Sequence, residues 1–91
     1  MKFMLNWKIE PRNHEAAANA FLESRAPMPD GLAVVGRWHA PGSSEGWLLA
    51  EADQLEPVAQ HAADWAHLLE IRIIPVVDDE TAAKAFAAKY K

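Results

Sequence analysis

The sequence predicts an α+β domain: one four-stranded antiparallel sheet with helices on one face, in the order βαββαβ, followed by an extra C-terminal helix. Three observations carry this. The hydrophobic period switches between two and 3.6 along the chain, the turn clusters between segments are short, and 91 residues leave room for one core only. A single domain over residues 1–91 is therefore expected.

The first strand is read over residues 2–9. Phe3, Leu5, Trp7 and Ile9 fall on one side, and Lys2, Met4, Asn6 and Lys8 on the other. Pro11 ends it, because proline lacks the ladder donor. A helix over about 14–25 follows, with Asn13 as cap, Glu15 at the positive end, and Ala17, Ala20, Phe21 and Ser24 along one stripe. APMPDG is a turn cluster. LAVVGRWHA (32–40) is the second strand, PGSSEG a hairpin loop, and WLLAEA the third strand. Asp53 and Glu56 resemble a capping box for a second helix to about His67, in which Val58, Ala62, Trp65 and Leu69 face a sheet. LEIRIIPVV is the fourth strand. Asp78 or Asp79 caps a last helix with an apolar stripe of Ala83, Phe86, Ala87 and Tyr90.

Such a series makes a ferredoxin-like sheet of order 4-1-3-2, and right-handed crossovers put both inner helices on one side. The apolar strand halves should face them: Phe3, Leu5 and Trp7, then Val34 and Trp38, then Leu48 and Ala50, then Ile71 and Ile73. Glu51 sets the third strand's register, since a charge under the helices costs several kcal/mol unpaired. The opposite face then carries Met4, Asn6, Lys8, Val35, Arg37, His39, Trp47, Leu49, Glu51, Glu70, Arg72 and Ile74. Its apolar members form a patch too large for a solvated surface, so a homodimer packed sheet on sheet is expected.

Composition excludes several functions. The formal charge is −4 and no Lys/Arg cluster occurs, which argues against nucleic acid. There is no cysteine, hence no disulfide or thiolate chemistry. The apolar start is broken by Asn6 and Lys8, too short for a signal peptide or a membrane span, so cytoplasmic residence and no membrane contact are expected. His61 and His67 lie about 600° of rotation apart on one helix and share no face. No metal site, phosphate loop, nucleophile elbow or dinucleotide fingerprint is present, and no cofactor is expected.

Six residues stand out on the expected open face. His39 is the catalytic candidate, since imidazole titrates nearest neutrality, with a hydrogen bond to a loop carbonyl as the bland alternative. Arg37 either pairs with Glu51 or Glu70, or clamps a ligand carboxylate or phosphate. Asn6 either contacts a ligand carbonyl or bridges strands. Trp47 offers a stacking surface, and Glu51 and Arg72 complete the ligand-binding set. Trp38 and Trp65 are read as core.

The segments GRWHA (36–40), LLAEAD (48–53) and IRIIPVVDDE (71–80), above all Gly36-Arg37-Trp38-His39, are similar to those of a family of small bacterial proteins known only as a domain of unknown function. That family lies within the dimeric α/β-barrel superfamily, and the likeness runs over essentially the whole chain. The resemblance implies the same ferredoxin-like dimer and no particular activity. Superfamily relatives include cofactor-free monooxygenases, haem-degrading enzymes, muconolactone isomerases and ligand-sensing domains, and fold does not choose among them. Two readings follow: a dimer binding a small anionic or aromatic metabolite on the open face, or a non-catalytic interaction module. They differ in whether Arg37 and Glu51 bond each other or face open space.

Overall fold

The computed structural model describes residues 1–91. Its elements are β1 (Lys2–Lys8), α1 (His14–Ser24), β2 (Ala33–His39), β3 (Glu45–Glu51), α2 (Leu55–Trp65), β4 (Glu70–Val76) and α3 (Asp79–Tyr90), with a 3₁₀ turn at Pro11–Asn13 leading into α1. The sheet order is β2-β3-β1-β4, every neighbour antiparallel, which is the ferredoxin-like order expected.

β1 sits at the centre because it alternates strictly and pairs on both sides. Phe3 lies between Ala50 and Pro75, and Leu5 between Leu48 and Ile73. Phe3, Leu5, Leu48 and Ala50 are almost fully buried and join Leu32, Ala52 and Val58 in one core, with Met28, Ile71 and Ile73 packed against it. The core is small. Only 11 of the 91 residues are buried, so the sheet and its two inner helices leave space between them.

The helix ends differ from expectation in detail. Neither Asn13 nor the Asp53–Glu56 pair caps through a side chain; Gln54 precedes α2, and Asn13 lies within the 3₁₀ turn. Asp78 does cap α3, its carboxylate accepting the Thr81 N–H at 2.9 Å, and that bond holds the Asp78 pKa below its usual value. α3 buries none of its residues: Phe86 and Tyr90 are exposed.

One feature of β2 reverses the expected faces. Val34 opposes Ala50, but Gly36 opposes Leu49, leaving Val35 as an extra bulged residue. A one-residue insertion turns every following side chain over. Arg37 and His39 therefore join Leu48 and Gly46 on the helix side, while Gly36 and Trp38 join Leu49 and Trp47 on the open side. Trp38 is 57% exposed, so it does not belong to the core. The expected site on the open face loses both its histidine and its arginine to the other side of the sheet.

Candidate functional site

On the helix side a cavity of about 490 Å³ lies between the sheet and α1 and α2. Twelve of its 17 lining residues are hydrophobic, and none is acidic, although the chain carries 13 carboxylate side chains. The polar lining consists of His14, Arg37, His39, Ser43 and His61. A mostly apolar hollow with a few convergent polar groups is the usual form of a small-molecule site.

Its walls follow from local rules. Trp7 alternates inward from β1, and its indole lies over Gly46: a Cβ there would fall 2.1 Å from the ring. Glycine at that position is what lets the ring lie flat. His39 meets the Trp7 ring edge-on at 5.4 Å and 74°, and the Phe21 ring at 5.4 Å and 64°. Phe21 projects from α1 beneath the Arg37 guanidinium, 5.3 Å from its ring centre.

Arg37 closes one side. It donates to the carbonyls of Ala26, at 3.3 Å, and Arg25, at 3.1 Å, where the chain leaves α1. Both residues have positive φ, 60° at Arg25 and 47° at Ala26, a conformation non-glycine residues avoid. Binding both carbonyls, Arg37 holds that strained exit and caps the negative end of the helix. Burial lowers its pKa, yet guanidinium stays protonated near neutrality.

Among the polar lining residues His61 is the most buried, 7% exposed. Its Nδ1 is buried with no hydrogen-bond partner. Burial lowers its pKa, the charge of Arg37 lowers it further, and Asp64 partly opposes them, so the ring is neutral near neutral pH. At the mouth, His14 Nε2 donates to the Gly42 carbonyl at 2.8 Å, tying α1 to the β2–β3 hairpin.

The remaining sequence candidates stay on the open face. Asn6 bridges strands, donating to the Gly46 carbonyl at 3.0 Å and to Glu45 Oε2 at 3.2 Å. Glu51 pairs with Lys2 at 3.4 Å, not with Arg37, and Arg72 is exposed opposite Asn6. Trp47 faces Trp38 across β2 and β3. The structure thus brings Arg37 and His39 together around the cavity and separates them from Asn6, Trp47, Glu51 and Arg72. Sequence reasoning missed His61 and the ring wall of Trp7, Phe21 and Trp65. The signal was present: Val58, His61 and Trp65 recur at helical spacing and share the face of α2 turned to the sheet.

A family model described as Domain of unknown function (DUF3303) matches residues 1–90. The chain belongs to the DUF3303 family. Among curated proteins none matches. Among solved structures, a Deinococcus radiodurans protein named provisionally as an antibiotic biosynthesis monooxygenase superposes with a TM-score of 0.51 at 12% identity, covering 86% of this chain and 94% of that one. Rv0793 from Mycobacterium tuberculosis gives 0.50 at 12% identity, covering 86% and 96%. These likenesses agree with the ferredoxin-like α+β fold described above. At such identity they carry the fold alone.

Proposed function

We propose that the protein binds a small, ring-bearing molecule in the cavity between the sheet and its two inner helices, and that it does so as a homodimer paired through the open sheet face. The cavity supports the first half: about 490 Å³, walled by aromatic and aliphatic side chains, with its polar groups gathered at Arg37, His39 and His61. The open face supports the second, for Trp38, Trp47 and Ile74 are exposed on it together. Assigning the two faces to two tasks removes the conflict in the sequence reading, which placed ligand and partner on the same surface.

His39 keeps its candidacy for chemistry, now between two aromatic edges within the cavity. The Deinococcus neighbour's name makes oxidation of an organic substrate one activity worth assaying. A binding or sensing role needs only the cavity.

The experiment is a titration of isotope-labelled protein with 1-methylnaphthalene, a neutral ring with no acid group, followed by amide NMR. Binding in the cavity shifts residues around Phe21, His39 and His61 and leaves Trp38 and Trp47 unmoved. Shifts confined to Trp38 and Trp47, or none at all, overturn this reading of the cavity. Sedimentation of the free protein should give a species of twice 10.1 kDa.

A further inference from the structure

The Arg37 guanidinium has five N–H donors and spends two on the carbonyls that end α1. The other three have no partner within the chain, and Arg37 lines the cavity. His61 lines the same cavity from α2, more than nine-tenths buried, with a ring nitrogen that nothing in the protein satisfies. A buried polar atom without a partner is costly, and such atoms in native proteins are commonly completed by a ligand. No carboxylate side chain lines the space to neutralise Arg37. In an acidic protein this leaves one half-buried cation and one orphaned, buried imidazole on the wall of the same apolar, ring-lined hollow.

We propose that Arg37 and His61 together form a subsite for the carboxylate of a ring-bearing organic acid, whose ring lies among Trp7, Phe21 and Trp65. The inference rests on the cavity reading above and adds the chemical class of the ligand. The guanidinium supplies the charge and a planar fork that fits a carboxylate, and His61 completes the second oxygen.

Proton linkage follows. In the free protein His61 is held neutral by burial and by Arg37, with the Asp64 carboxylate opposing; His14 from α1 and His39 from β2 are the other titratable groups on the cavity wall. β1, β3 and β4 contribute only apolar side chains to it. An incoming carboxylate reverses the local field and raises the His61 pKa, so binding takes one proton from solvent onto the ring while the acid remains ionised. Affinity therefore rises as pH falls through the His61 titration in the complex. It levels off below the pKa of the free protein.

The test compares 1-naphthoate with its neutral isostere 1-naphthamide by calorimetry across mildly acidic to mildly alkaline pH. The acid should bind on the order of tenfold more tightly than the amide at the acidic end. Its affinity should fall by up to about tenfold per pH unit over the titration. His61→Phe should abolish that slope and keep part of the acid preference. Arg37→Gln should abolish the preference. Because Arg37 also caps α1, Arg37→Lys serves if the glutamine variant does not fold, and retains charge attraction while losing the fork. Equal binding of acid and amide overturns the subsite and leaves the cavity reading standing. A slope that persists in His61→Phe overturns the part given to His61. Failure of both probes, with 1-methylnaphthalene also silent, overturns the cavity reading and the subsite together.

Discussion

Two glycines each carry a tryptophan, on opposite faces of the sheet. Gly46 lies beneath Trp7 on the cavity side, and Gly36 beneath Trp38 on the open side, where an added Cβ would fall 2.3 Å from the ring. In Gly36-Arg37-Trp38-His39, alternation sends Gly36 and Trp38 to one face and Arg37 and His39 to the other, so one short segment serves both the exposed patch and the cavity. Gly46→Ala should displace the Trp7 indole and cost about 1–3 kcal/mol, read as a lowered denaturant midpoint with altered tryptophan emission. His61 makes a second prediction. Its pKa is lower folded than unfolded, so the unfolded chain binds more protons in mild acid and stability drops as pH falls from near neutrality through the ordinary histidine range. Replacing the ring with leucine removes the orphaned nitrogen. His61→Leu should therefore be about as stable as the parent or more so by about 1 kcal/mol, with a flatter pH dependence; denaturant melts at about pH 7.5 and pH 5.5 check both.

Among the elements, β2 decides the site. Its bulge at Val35 lets the strand begin with Val34 opposite the buried Ala50 and end with Arg37 and His39 over the cavity. Because Val35 is the extra residue, deleting it leaves Val34 opposite Ala50 and Gly36 opposite Leu49 in an unbroken ladder. That deletion should fold with Arg37 and His39 still on the helix side, changing stability by no more than about 1–2 kcal/mol. Proton contacts between the Trp7 and His39 rings, visible by NMR, report the outcome, and their loss would show that the bulge itself sets the face. α1 depends on β2 in turn, since Arg37 holds the carbonyls of its strained exit.

At the scale of the molecule, the chain is more extended than a compact domain of its length. Its radius of gyration is 15.3 Å, against about 12 Å for a compact chain of this length. The long dimension is 52 Å, and α3 buries nothing of its own. Phe86 and Tyr90 on α3, with Trp38 and Trp47 on the open face, are the surfaces a second copy would cover in the proposed dimer. Trp38→Asp should weaken dimerisation by at least about 100-fold, because a two-fold interface counts each change twice. Sedimentation across a concentration series measures it, and an unchanged dimer would place the interface elsewhere.

The order of elements, the sheet order and the burial of Phe3, Leu5, Leu48 and Ala50 were legible in the chain, because period-two and helical patterns and short turns are local properties that each segment carries by itself. The two-faced use of β2 was not. Alternation counts residues, and a bulge breaks the count without a strong mark of its own; Gly36 inside a strand was the one hint, since an interior glycine signals a bulge or a close approach. The cavity was equally hidden, for it depends on how far two helices stand off the sheet. Sequence alone established that an arginine and a histidine would sit two apart on one strand face. Which face it was, and that His61 would wait there without a partner, came only from tertiary packing, where one extra residue in β2 and the stand-off of α1 and α2 decide what each side chain meets.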